Sequence, residues 1–107
     1  PLPRLDFFFS MWLDIESRRK TLANMVRSLY DFMCSVIKIA SRKREMAVVQ
    51  KKLDLLTKYY DSFCAQLIKT GFVDFGSLRQ MIDVLIELSN RYGISVSSSF
   101  VRELISS

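Results

Sequence analysis

A chain of 107 residues with sixteen Lys/Arg against eleven Asp/Glu, a formal charge of +5, three glycines, two prolines and no histidine is one basic domain. So few turn residues exclude a β-sandwich or barrel, which needs many tight turns, and leave an all-α fold. The absence of histidine removes the usual general base near neutral pH and the commonest metal ligand, so an enzyme is the least supported class and no cofactor or metal is expected.

Half of the residues are apolar, enough for a core. The two cysteines, Cys34 and Cys64, lie far apart and form no CxxC pair. A structural zinc site needs about four such ligands. Both cysteines are expected as small core residues, which points to a reducing compartment, intracellular and either cytoplasmic or nuclear. No apolar run reaches the ~18–20 residues of a membrane-spanning helix. The chain opens on Pro1 rather than Met, and a piece of a longer chain is expected.

From Arg4 to Thr70 there is neither glycine nor proline. Phe8, Trp12, Ile15, Arg19, Leu22, Val26, Leu29, Met33, Val36 and Ala40 follow 4-3-4-3 spacing, and all but Arg19 are apolar. That is heptad spacing, the seam of helices packed at a shallow angle. A second stripe, Met25, Leu29, Phe32, Val36 and Ile39, broadens the face to that of a bundle helix. Met46, Val49, Leu53, Leu56, Tyr60, Phe63 and Leu67 resume the heptad one residue out of phase. Between the two sets lies the polar run Ser41-Arg42-Lys43-Arg44-Glu45. A phase break across a polar run predicts a short helix–helix turn, hence antiparallel neighbours. The predicted helices cover about 6–41 and about 45–69.

Gly71 suits a left-handed C-terminal cap. Ser77-Leu78-Arg79-Gln80 has the form of a capping box. A third helix is predicted over 77–92, with an apolar face of Leu78, Met81/Ile82, Leu85, Leu88 and Tyr92, closed by Gly93. A serine-rich linker follows, then a short fourth helix over 99–106 carrying Phe100, Val101, Leu104 and Ile105. The expected architecture is a single antiparallel helical bundle: a long two-helix hairpin, a third helix and a short C-terminal one.

The first helix outruns the second. At 1.5 Å per residue the excess is ~17 Å, about eleven residues, roughly Asp6 to Glu16. That overhang contains FFFSMW, the densest aromatic cluster of the chain. Left in water, each large aromatic forgoes ~1.5–3 kcal/mol. Three covers are open: the third and fourth helices folding back, a bend near Glu16–Thr21, or another chain. Phe7, Phe8 and Phe9 are consecutive, and consecutive helical residues point to different faces, so one neighbour cannot bury all three. Phe8, Trp12 and Ile15 also have the i, i+4, i+7 spacing of helix-in-groove anchors. Phe7, Phe8, Phe9, Trp12 and Ile15, with Tyr59 beside the core stripe, are therefore the candidate protein-binding residues, for a different protein or a second copy.

The charge is uneven: residues 1–69 carry +6 and the remainder −1. Arg18-Arg19-Lys20 form one basic cluster. Lys38, Arg42, Lys43, Arg44, Lys51 and Lys52 gather at the expected hairpin tip and are candidates for a polyanion: nucleic acid, acidic lipid or an acidic protein tail. The aromatics follow the core stripes rather than forming a base-stacking platform. TGFVDFGS lacks the lysine and spacing of a P-loop. The pairs Asp14/Glu16, Asp54/Asp61 and Asp83/Glu87 fall between apolar stripes and read as solvated faces. The expected function is non-catalytic: a protein–protein interaction module, with polyanion binding as the alternative. Antiparallel packing also sets Cys34 and Cys64 ~18 Å apart along the axis, beyond the ~7 Å Cα limit of a disulfide.

Overall fold

The computed structural model describes residues 2–96, with side chains from Glu16 onward. Three helices are present: α1 (Leu2–Arg42), α2 (Met46–Thr70) and α3 (Phe75–Tyr92). The described residues contain no strand. The expected short helix over 99–106 lies outside the described residues. Helix α2 packs against both others, and α3 leans mainly on α2 and less on α1.

Each helix end has a local cause. At the end of α1 the Glu45 N–H bonds to the Ala40 carbonyl (2.8 Å) and the Arg44 N–H to the Ser41 carbonyl (3.2 Å). This is a Schellman motif, which places its αL residue between the helix and the next segment. Here that residue is Arg44, at φ 57°, rather than glycine. The turn then feeds Glu45 directly into α2. Helix α2 ends at Gly71, φ 76°, whose N–H bonds to the Leu67 carbonyl. Helix α3 ends at Gly93, φ 64°, followed by Ile94, whose N–H reaches the Ser89 carbonyl. Both glycines act as expected.

The start of α3 corrects the sequence reading. The cap is Asp74, not Ser77: its carboxylate accepts from the Ser77 N–H (3.2 Å) and from the Ser77 hydroxyl (2.8 Å). Asp74 is three residues ahead of Ser77, so one carboxylate satisfies an orphan donor of the first turn and also fixes the serine. The helix thereby gains Phe75 and Gly76.

The core consists of Leu22, Met25, Leu29, Phe32, Val36 and Ala40 from α1, Val49, Leu53, Leu56, Tyr60, Phe63 and Leu67 from α2, and Met81, Val84, Leu85, Leu88 and Tyr92 from α3. The α2 stripe is as its spacing predicts, with Met46 half-buried at its edge. On α1 the inward face is turned. Leu22, Leu29 and Val36 stay inside, but the core takes Met25 and Phe32 instead of Val26, which is 46% exposed, and Met33, which is half-buried. Helix α1 has to serve α2, α3 and the segment after Gly93 at once, so its face rotates toward the second stripe. On α3, Val84 goes in and Ile82 stays exposed. Both cysteines are free, as expected, but Cys34 departs from its expected core position: it is exposed, while Cys64 is half-buried. Cys34 lies on the flank of α1 that this rotation turns outward.

Candidate functional site

Specific contacts set the register of the helices. The Tyr60 hydroxyl donates to the Leu22 main-chain carbonyl at 2.8 Å, both groups being buried. One helical end further on, the Arg18 guanidinium lies against Gly71: a Cβ built on Gly71 would stand 3.5 Å from Nη1 of Arg18. Arg18 is therefore level with the last turn of α2. It holds a core-side position, in line with Leu22 and Met25, and its Nε is buried without a hydrogen-bond partner. Helix α2 stops here, and α3 begins a few residues later at Phe75.

Helix α1 does not stop. It is a single unbroken helix of 41 residues, so it continues for about 16 residues, or ~24 Å, beyond the level of Gly71. Near Glu16–Thr21, where a bend was one of the three covers left open, the helix is not interrupted and continues through Ser17-Arg18-Arg19-Lys20. The backbone of Phe7, Phe8, Phe9, Trp12 and Ile15 belongs to this projecting part, and their side chains lie outside the described residues. By heptad position Phe8 and Ile15 continue the line of Leu22, Leu29 and Val36, while Trp12 continues that of Val26 and Met33.

At the foot of the projection the loop joining α2 to α3 exposes two aromatics that sequence reasoning missed. Phe72 is 74% exposed and Phe75 is 75% exposed. Phe75 falls in the first turn of α3 because Asp74 caps that helix. Only part of the signal was present in TGFVDFGS: Phe72 falls outside the α2 stripe that ends at Leu67, whereas Phe75, three residues ahead of Leu78, fits the spacing of α3 and is exposed all the same. Tyr59, the remaining candidate contact, is half-buried and packs on the core from α2.

The basic tip is partly engaged within the fold. Lys52 pairs with Glu87 of α3. Lys43 stands over the Tyr92 ring, 5.7 Å from its centroid. Glu45 accepts from the Tyr92 hydroxyl (2.7 Å) and from Arg91 Nε (3.2 Å). The Tyr92 hydroxyl, with Arg91 beside it, holds the Glu45 carboxyl below its ordinary range. Lys38, Arg42, Arg44 and Lys51 are exposed and form no ion pair among the described residues. The described surface includes two shallow grooves. One, of about 220 Å³, runs between α1 and α2 beside Val26, Tyr30, Met33 and Tyr60. The other, of about 150 Å³, lies between Phe32 and Ile94. Among the described residues no cluster of three His, Cys, Asp or Glu side chains is placed to hold a metal ion. No helix there is long and apolar enough to cross a membrane.

Compared with protein-family models, with curated proteins and with solved structures, the chain matches none.

Proposed function

We propose that this chain is a non-catalytic protein-interaction module. In this reading α1 and α2 form an antiparallel hairpin backed by α3, and the hairpin holds out the N-terminal part of α1 as a docking arm for another protein chain. The observation that carries the reading is the Arg18–Gly71 contact. It puts the end of α2 level with the middle of α1 and leaves the aromatic segment beyond it. Three contacts support the antiparallel arrangement: Tyr60 to Leu22, Lys52 to Glu87, and Glu45 to Tyr92. The first joins α2 to α1, and the other two join the start of α2 to the end of α3.

The buried side chains of the described body run from Leu22 on α1 to Leu67 on α2, and the backbone of α1 continues beyond them. Large exposed apolar patches on small domains mark interaction surfaces. The test is association of the tagged chain with its binding partner, measured for the parent and for F8A/W12A together with thermal unfolding. Loss of association at unchanged melting temperature is the expected result. A double variant that binds as the parent does, and only melts earlier, would refute the arm. Binding of a polyanion at the tip is the weaker reading, since the fold itself engages Lys52 and Lys43.

A further inference from the structure

We infer that the groove between α1 and α2 is a docking site of its own, and that it takes one amphipathic helix of another protein, with an apolar seam against α1 and basic side chains along the α2 edge. The inference goes beyond the docking arm, because it uses side chains of the three-helix body alone.

The surface comes from a surplus on α1. That helix carries two adjoining apolar lines, and the body buries one of them. The other, Val26, Tyr30, Met33 and Ile37, keeps 4-3-4 spacing over ~16 Å of helix. Val26 is 46%, Tyr30 68% and Ile37 38% exposed, and Met33 is half-buried. Val26, Tyr30 and Met33 form one wall of the groove, against Thr57, Tyr60 and Asp61 of α2. A contiguous apolar line of this kind left in water marks an interaction surface. The segment that follows α3 is not what covers it. After Gly93 the chain lies on the other flank of α1, where Ile94 and Ser95 meet Ser28, Asp31 and Ser35.

The shape of the groove asks for a helix. Two helices side by side present rows of side chains at 3-4 spacing, and a further helix packs its own knobs into the holes between them. An extended peptide would press its N–H and C=O groups against apolar side chains, and the described residues contain no strand whose edge could receive them. A helix satisfies those groups internally and brings side chains at i, i+4 and i+7 to the same line.

The rim on α2 sets the sign of the partner. Thr57 and Asp61 line the groove, and Asp54, one heptad before Asp61, continues the same edge about two turns away. Asp54 accepts from Gln50 at 3.0 Å. Neither carboxylate forms an ion pair among the described residues, and Lys58, the cation between them in sequence, pairs with neither. The opposite wall, Val26 to Ile37, contributes no charge along its line. In a chain of net charge +5 this edge is acidic against the overall trend. It complements a helix that carries Lys or Arg two turns apart beside its apolar seam, and it disfavours one that carries Glu there.

The probe is a set of three synthetic helical peptides, each about three heptads long, with one leucine seam in common and with Lys, Gln or Glu at the flanking positions. Each is titrated into the isotope-labelled full chain, and affinity and amide shifts are read by NMR, with an unchanged melting curve required of every variant. The Lys-flanked peptide should bind about tenfold more tightly than the Glu-flanked one at low salt, with shifts centred on Val26, Tyr30, Met33, Thr57 and Asp61. V26S/Y30S removes side chains that the body leaves exposed, so it should melt as the parent does and weaken binding by at least about tenfold. D54N/D61N should bring the Lys and Glu peptides to equal affinity. F8A/W12A should bind the peptides as the parent does. Absence of saturable binding, or binding indifferent to V26S/Y30S, overturns the inference. Equal affinity of the parent for the Lys and Glu peptides overturns the basic helix as occupant. Light scattering on the chain alone supplies the remaining control: a dimer abolished by V26S/Y30S assigns the groove to a second copy and overturns the inference. Peptide binding lost in F8A/W12A and kept in V26S/Y30S removes the groove and keeps the docking arm. Peptide binding that depends on Val26 and Tyr30, in a chain whose association with its partner ignores F8A/W12A, keeps the groove and removes the arm.

Discussion

The Tyr60 hydroxyl and the Leu22 carbonyl are joined by a buried 2.8 Å hydrogen bond across 38 residues of sequence. This single bond locks α2 to α1 in register, because a shift of one turn would strand the phenol in the core. Burial pushes the Tyr60 hydroxyl far above its ordinary value of 10.0, with Cys64 alongside. Y60F should therefore lose about 0.5–1.5 kcal/mol in urea unfolding. The sign with pH follows from the raised value. An unfolded tyrosine ionises near 10 and the folded one does not, so this contribution is intact below pH 10 and is lost as the pH climbs above it. Y60F should show a shallower alkaline decline than the parent; equal profiles would mean that the bond contributes nothing.

Phe63 is fully buried at the centre of the stripe on α2. Truncation there leaves a cavity enclosed by other helices, which cannot collapse without moving them. F63A should cost ~3–5 kcal/mol, a large share of the ~5–15 kcal/mol that holds a domain of this size together. Denaturant midpoint with an unchanged m-value is the measurement. A loss under about 1 kcal/mol would mean that this part of the core is loosely packed.

Arg44 adopts φ 57° at the αL position of the turn. A side chain there costs roughly 1–2 kcal/mol that glycine does not incur, offset partly by the greater unfolded-state entropy of glycine. R44G should raise stability by about 1 kcal/mol, which is roughly 4–8 °C in Tm for a domain near this size. A fall in Tm would show that the arginine side chain makes a contact of greater worth than the strain it imposes.

Glu45 and Asp74 set the acid limb. Both carboxyls sit below their ordinary values of 4.5 and 3.8, Glu45 through the Tyr92 hydroxyl and Asp74 through the Ser77 N–H. Their stabilising effect is present above those ordinary values and disappears as the pH falls through the lowered ones. E45Q should melt earlier than the parent at pH 7, with the gap closing as the pH falls below the ordinary carboxyl value of 4.5. A gap that persists at the lower pH would assign the loss to geometry rather than to charge.

The two thiols should be chemically distinct. Cys34 is exposed, whereas Cys64 is half-buried beside Tyr60, and burial raises its pKa. A higher pKa means less thiolate, the reactive form. Titration with a thiol reagent should give a fast and a slow phase, and C34S should remove the fast one. Loss of the slow phase instead would place Cys34 inside the fold.

Much of this architecture was legible in the residues. The long stretch without glycine or proline, the phase break across Ser41–Glu45, and the two glycines that take positive φ together locate the helices to within a few residues, except at the start of α1. These features act within a few residues of themselves, through backbone sterics and short hydrogen bonds, so the sequence alone carries them. The stripe of α2 was equally plain, because only one apolar line runs along it.

Tertiary structure decided what local rules leave degenerate. Helix α1 carries two adjoining apolar lines, and propensity does not choose between Val26–Met33 and Met25–Phe32. Packing against α2 and α3 together chose the second, because a helix touching two neighbours turns its face between them. The cap of α3 went to Asp74 because one carboxylate could serve both the N–H and the hydroxyl of Ser77. The exposure of Phe72 and Phe75, and the level at which Arg18 meets Gly71, are products of where α2 ends against α1. Sequence showed an aromatic segment longer than its partner helix. Only the packed helices set the foot of that segment beside a second aromatic surface.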